Sequence, residues 1–223
     1  MEIKFTKFAQ TVALGLGLAL TFSCSSSDDN GGNDTQFTDV RDGKKYAYVK
    51  IGSQTWMAEN LNYNASGSRC YDNQESICDT YGRLYNWTTA KTVCPKDWHL
   101  PNNEDWLALM KYINPICDYE AYYCADVGTK LKATSGWYLV NGIPKGTDDY
   151  GFAALPGGGG YRDDEGDYDE ELGIAGYWWT ASDYSIEANS YGITYGIGNE
   201  FEDVFWTDEW DKSNLLSVRC IKD

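Results

Sequence analysis

Positive charge is scarce in this chain: 18 lysines and arginines stand against 34 aspartates and glutamates, a formal net charge of −16 over 223 residues. A phosphate backbone would be repelled by such a surface, so nucleic acid is not expected as a partner. Histidine is scarcer still. His99 is the only one, and a lone imidazole between Trp98 and Leu100 reads as a satisfied turn or core residue, which leaves nucleophilic triads little to stand on. No Cys-x-x-Cys spacing occurs, so a structural zinc site has no starting point. No apolar run is long enough to make a membrane span the first choice. Proline is sparse at 5 residues, whereas Gly numbers 23, Tyr 18 and Trp 9, a mixture suited to short strands and tight turns rather than to a helical bundle.

The N-terminus carries an export address. Lys4 and Lys7 supply a positive segment, Phe8 to Phe22 an apolar one, and residues 1–23 read as a lipoprotein signal peptide. Thr21-Phe22-Ser23-Cys24 resembles a bacterial lipobox, with Thr21 where Leu is usual, so Cys24 is the expected lipidation site. Residues 24–36 then form a tether, since Ser25 to Gln36 offers nothing able to build a core. Ser25 directly after Cys24, with no Asp there, resembles the pattern sorted to an outer membrane. The expected location is a bacterial outer membrane, on its periplasmic or cell-surface side, with membrane contact through the lipid.

Without Cys24, six cysteines remain, an even number that reads as disulfides in an exported chain, with fifteen pairings possible. The pairing chosen is Cys70–Cys78, Cys117–Cys124 and Cys94–Cys220. The first two each close a short loop, and the third clamps a helix start to the chain's last strand.

Around Asp42-Gly43 a hairpin is expected between Phe37–Arg41 and Lys44–Ile51, followed by a strand over 54–58. In the second segment Ala47, Val49 and Ile51 alternate with Tyr46, Tyr48 and Lys50, the period of a strand with one buried face. Residues 60–79 read as loop, and Tyr81 to Val93 as a first helix. A second helix runs from about Asn103 to Ile113, capped by Asn102, with Glu104 and Asp105 in its first turn and Trp106, Leu107, Met110 and Ile113 on one stripe. A short segment over 129–134 and a strand over 137–140 follow. The run Gly157-Gly-Gly-Gly160 lets backbones approach closely. Residues 163–171 read as an acidic loop, 174–182 and 189–197 as strands, 199–213 as an acidic, aromatic loop and 214–221 as the final strand.

Several of these segments resemble a known family. Asp39-Val-Arg-Asp-Gly43, Ile51-Gly-Ser-Gln-Thr-Trp-Met-Ala-Glu-Asn-Leu61, Cys94-Pro with Trp98-His-Leu-Pro101 and Glu104-Asp-Trp106, Phe152-Ala-Ala-Leu-Pro-Gly157, Gly176-Tyr-Trp-Trp-Thr180 and Ser217-Val-Arg-Cys220 together are similar to the Fibrobacter major paralogous domain family, over residues 37–223. The resemblance implies export and an α+β, C-type-lectin-like fold: two helices packed on small antiparallel sheets with long loops rich in glycine and aromatics. That superfold also underlies sulfatase-modifying proteins. The family lends no established catalytic residue. The lectin-like calcium tripeptides Glu-Pro-Asn, Gln-Pro-Asp and Trp-Asn-Asp are absent, which removes the usual basis for calcium-dependent sugar binding.

Two groups of side chains are candidate sites. Trp206 and Trp210 with Asp208 and Glu209 combine flat aromatic faces, which stack on sugar rings, with carboxylates, which take hydroxyl hydrogen bonds; ordinary core filling is the alternative. Asp163, Asp164, Asp167 and Asp169 offer oxygen ligands to a hard cation such as Ca²⁺, the one cofactor considered, although EF-hand spacing is not met and a solvated acidic loop is the alternative. The function expected is that of a lipid-anchored envelope module binding a carbohydrate or a surface protein. A structural module without a small ligand is the alternative, and an enzyme related to sulfatase-modifying proteins ranks behind both.

Overall fold

The computed structural model describes residues 35–118, 122–143, 145–163, 166–186 and 189–223. The signal peptide, Cys24, the tether up to Asp34 and Asp164 lie outside them. The chain opens with β1 (Gln36–Thr38), β2 (Lys45–Ile51) and β3 (Gln54–Met57), the expected meander. Gly43 takes φ 77° in the first turn, and its N–H donates to the Asp39 carbonyl at 2.8 Å. The buried Asp39 carboxylate accepts from Arg41 Nε at 2.9 Å and Nη2 at 2.6 Å, while Arg41 Nη1 donates to the Val93 carbonyl at 2.8 Å. The first hairpin is thereby fastened to the end of a helix 52 residues away.

Between residues 60 and 113 the chain is more segmented than its sequence suggests. The stretch read as loop contains β4 (Ser68–Arg69), a 3-10 turn (Tyr71–Asn73) and α1 (Glu75–Tyr81). The expected first helix is broken: Tyr81 ends α1, Gly82 follows at φ 80°, β5 (Leu84–Tyr85) pairs in a sheet, and only Trp87–Val93 forms α2. After β6 (Trp98–His99), α3 runs Asn103–Ile113 as expected. Its capping box is reciprocal, Asp105 N–H to Asn102 Oδ1 and Asn102 N–H to Asp105 Oδ2, both at 2.9 Å. Trp106, Leu109, Met110 and Ile113 are buried on one side and Leu107 only partly. Then come β7 (Tyr123–Cys124) and α4 (Val127–Leu131), which makes four helices rather than two among the described residues. The strand expected over 137–140 is irregular backbone.

The second half is β structure: β8 (Gly157–Asp163), β9 (Gly166–Leu172), β10 (Ala175–Ile186), β11 (Asn189–Gly198), β12 (Val204–Asp211), β13 (Leu216–Ser217) and β14 (Ile221–Lys222). Two expected loops are strands here. The acidic segment 163–171 belongs to the β8/β9 hairpin, and most of 199–213 is β12. In both, charged residues stand among aromatic or small ones and gain a partner strand; tertiary pairing overrides the poor strand propensity of Asp and Glu.

Five strands form one sheet in the order β1-β2-β3-β14-β6, and the rest form a second, β4-β5-β13-β10-β11-β12-β7, with the β8/β9 hairpin attached to β10. The final segment is two short strands because it passes from one sheet to the other: Ser217 pairs Trp178 in the second, Ile221 pairs Trp56 in the first. All of Leu216 to Ile221 is buried. Both sheets have two covered faces, and this is why β2 shows no single buried stripe. Val49, Ile51, Trp56 and Ile221 join one core with Trp106, Phe152 and Trp178; Tyr46, Met57 and Cys220 join the other with Trp98 and Trp179. Each large aromatic buries on the order of 150–250 Å², roughly 4–6 kcal/mol as an upper bound. The fold is α+β with the three expected disulfides, Cys70–Cys78, Cys94–Cys220 and Cys117–Cys124.

At the junction of the cores lies a cation. Arg219 is 0% exposed. Its Nη2 and Nε donate to Asn60 Oδ1 at 2.8 and 3.2 Å, Nη1 donates to the Phe152 carbonyl, and the guanidinium lies over the Phe152 ring at 4.3 Å. Trp178 Nε1 also donates to Asn60 Oδ1, at 2.9 Å, and Asn60 Nδ2 donates to the Tyr81 carbonyl and to Ser217 Oγ. Burial pushes the Arg219 pKa down to about 9, against the pull of Asp148 and Glu59, so it remains a cation at neutral pH.

Candidate functional site

The consecutive antiparallel strands β10, β11 and β12 align Tyr177, Gly196 and Phe205 across one face. A side chain at Gly196 would not fit, because its Cβ would fall 2.3 Å from Phe205 Cζ; glycine is what lets the Phe205 ring lie across the neighbouring strand. Further along, Thr194 pairs Thr207 but Gly192 pairs Trp210, three steps on β12 against two on β11. This bulge inserts one residue, so Trp210 shares the Phe205 face although their numbers differ by an odd step. Trp210 meets Tyr177 at 4.8 Å and Tyr161 at 5.0 Å between ring centroids. A Cβ on Gly159 would stand 3.5 Å from the Trp210 ring, so the glycine run supplies a flat bed beneath the indole.

Trp206 goes the other way. It packs against the core that holds Tyr195 and stacks on Tyr122 at 4.9 Å with 9° between planes. The two tryptophans read together from the sequence thus belong to opposite faces of β12, and both are half-buried rather than exposed.

A groove of about 620 Å³ runs along this strand, lined by Tyr161, Tyr177, Phe205, Trp206 and Trp210 together with Asp208, Glu209 and neighbouring polar groups. Among the described residues no Lys, Arg or His lines it. Glu171 accepts hydrogen bonds from Tyr177 Oη at 2.7 Å and Tyr161 Oη at 3.4 Å. Burial pushes both phenols well above their ordinary pKa, and Glu171 adds to the shift, so they remain neutral across the physiological range. Glu171 itself sits at φ 69°, a left-handed conformation costly for a residue with a Cβ, opposite Gly158 at φ 64°. Among the described residues the Asp208 and Glu209 carboxylates make no hydrogen bond or ion pair. Aromatic faces beside unsatisfied acceptors can hold a ligand with both apolar ring faces and hydroxyl or amine donors.

A hollow of about 180 Å³ adjoins it, lined by Ser68, Arg69, Asn86, Tyr161, Ser213 and Leu215 among others. A third, of about 360 Å³, is lined by Asn60 with Lys45, Glu59 and Asp79 among others.

With this geometry in place, comparison with known families is decisive on one point. The model of the Fibrobacter succinogenes major domain matches residues 49–222, most of the chain. The chain belongs to that family. The match to the Fibrobacter domain begins inside β2, so β1 and the first turn precede it although they pair into the same sheet. No curated protein and no solved structure matches the chain.

Placed on the Fibrobacter domain, the segments that carried the resemblance turn out to be structural. Asn60, Phe152, Trp178, Ser217 and Arg219 all meet in the buried network around the guanidinium, while Cys94 and Cys220 close the clamp. None of the groove residues on β12 lies in those segments except by contact with Tyr177. Of the acidic candidates, Asp164 lies outside the described residues. Asp163 and Asp167 belong to paired strands, with Asp167 opposite Arg162 and Asp163 opposite Gly166, and Asp169 is committed to an ion pair with Arg69 and to the Asp72 N–H at 2.6 Å. His99 is exposed in a strand position, with Nδ1 2.6 Å from Asp223 Oδ1 and Nε2 3.7 Å from Asp105 Oδ2. Tyr161 and Tyr177 were missed by sequence reasoning, and Glu171 was read only as one of the acidic residues open to a cation. The signal of the two tyrosines, an aromatic just after a glycine run and one two residues into a strand, is common in any β-rich chain.

Proposed function

We propose that this Fibrobacter domain is a binding module whose groove along β12 takes a carbohydrate. One observation carries the reading: Trp210, Tyr177 and Tyr161 form a continuous aromatic surface in an open groove whose Asp208 and Glu209 carboxylates are acceptors without partners among the described residues. A sugar ring presents C–H groups to an indole and hydroxyls to carboxylates, which is the complement of that surface. With no cation among the described residues lining the groove and −16 overall, the ligand is a neutral or amine-bearing glycan rather than an anionic one. The reading needs no catalytic residue. Residues 1–36 support display of the domain on an outer membrane through lipid at Cys24, a proposal that metabolic labelling with a fatty-acid analogue, lost in Cys24→Ala, would test.

Retention on immobilised polysaccharides and on a glycan array tests the binding reading. Retention of the domain on a neutral or amino-sugar polymer, lost in Trp210→Ala, is the expected result. Absence of retention on any glycan, together with capture on a protein ligand that survives Trp210→Ala, would transfer the function to a protein partner and away from this groove.

A further inference from the structure

We infer that the groove and the smaller hollow beside it are two parts of one site for a linear oligosaccharide, with Tyr161 as the divider between them. This rests on the carbohydrate reading above and adds the ligand's length and direction. Tyr161 lines both depressions, and the consecutive residues Ser213, Asn214 and Leu215 alternate between them, Asn214 on the larger and its two neighbours on the smaller. Only one ring and one turn therefore separate the two spaces. That turn is rigid: Gly160 and Leu215 exchange both backbone hydrogen bonds, at 2.8 and 2.7 Å, so the floor continues unbroken beneath the divider.

Size decides the division of labour. A volume of 620 Å³ is within the range of pockets that hold a small ligand alone, about 300–1,000 Å³, whereas 180 Å³ falls below it and suits one end of a longer molecule. Tyr161 apart, the smaller hollow is lined by no ring among the described residues, and Ser68, Arg69, Asn86 and Ser213 supply its polar groups, where the larger is lined mostly by aromatic residues. Asn86 is the example: its Oδ1 is occupied by the Thr89 N–H at 2.9 Å as a helix cap, which leaves the amide NH₂ without an acceptor among the described residues and facing a space the size of a few waters. A chain stacked on Trp210 and Tyr177 and passing over Tyr161 would place a hydroxyl there.

The test is a titration of the full domain with a ladder of neutral cello-oligosaccharides and chito-oligosaccharides, from disaccharide to octasaccharide. Affinity should rise with length and then level off. Asn86→Asp keeps the capping oxygen and removes the donors; Ser213→Trp fills the small hollow from an exposed turn. Each should lower long-oligomer affinity by about threefold to tenfold, the worth of one net hydrogen bond, and leave the disaccharide unchanged. A length dependence that both variants leave intact, or affinity independent of length, overturns the inference while leaving the groove reading standing. Loss of all binding in the unmodified domain would instead overturn the groove reading, and this one with it.

Discussion

Replacing Asn60 by alanine should be among the most damaging single changes in the domain, though the side chain touches no ligand. Asn60 Oδ1 is the shared acceptor for two N–H groups of Arg219 and the indole N–H of Trp178, all within 3.2 Å, and Arg219 has no solvent to turn to. Alanine leaves a buried cation and a buried indole donor short of partners. Each unsatisfied buried group costs about 1–3 kcal/mol, and uncovering one side of a buried charge costs about 3–5 kcal/mol; as these overlap, about 3–5 kcal/mol is the expected total. For a domain of this size that is roughly a 6–20 °C fall in melting temperature. Guanidinium unfolding with disulfides intact is the assay, with the exposed Asn64→Ala as a control that should stay within about 0.5 kcal/mol. Arg219→Met should rescue part of the loss, giving a coupling above about 1.5 kcal/mol in a double-mutant cycle. A cost for Asn60→Ala below about 1 kcal/mol, or a strictly additive double variant, would refute the idea that this network holds the two cores together.

Other expectations follow from the same structure. Burial opposes ionisation of Asp39, but the Arg41 hydrogen bonds outweigh it and the carboxyl pKa lies below 3.8. A depressed folded pKa gives stability that is present above the unfolded value and lost as pH falls through the folded one, so acid unfolding below about pH 4 should weaken its pH dependence in Asp39→Asn. Removing Cys94–Cys220, which spans 126 residues, should cost about 5 kcal/mol in the chain-entropy model, against about 2.5 kcal/mol for Cys70–Cys78, which spans 8, when the pairs are replaced by alanine and unfolding is compared. Gly196→Ala should destabilise by about 1–3 kcal/mol and abolish glycan retention together, because the added methyl drives Phe205 off its strand into the groove.

Much of the fold was legible because its signals are local. The α3 cap and its ends, the Asp42-Gly43 turn and the short cysteine loops all depend on a few neighbouring residues, and each is where the sequence places it, while the α3 stripe differs only in Leu109 replacing Leu107. What the sequence hides is pairing. β12 reads as loop because Asp208, Glu209 and Asp211 are poor strand formers, and only the partner strands reveal that they belong to a sheet. The final strand reads as one element because nothing in Leu216 to Ile221 announces a change of sheet. For the candidate site, the four residues named together in the sequence line one groove, yet the bulge that sends Trp206 and Trp210 to opposite faces depends on register against β11, and the Glu171 bonds to two tyrosines join residues from three strands.

The central claim, that the β12 groove holds a glycan, is tested most directly through the indole N–H resonances of the nine tryptophans during titration with oligosaccharide. The account predicts a saturable shift of the Trp210 signal, with Trp206 following and the wholly buried Trp56, Trp106 and Trp178 unmoved. Saturable binding that leaves Trp210 in place and shifts resonances on another face would contradict it.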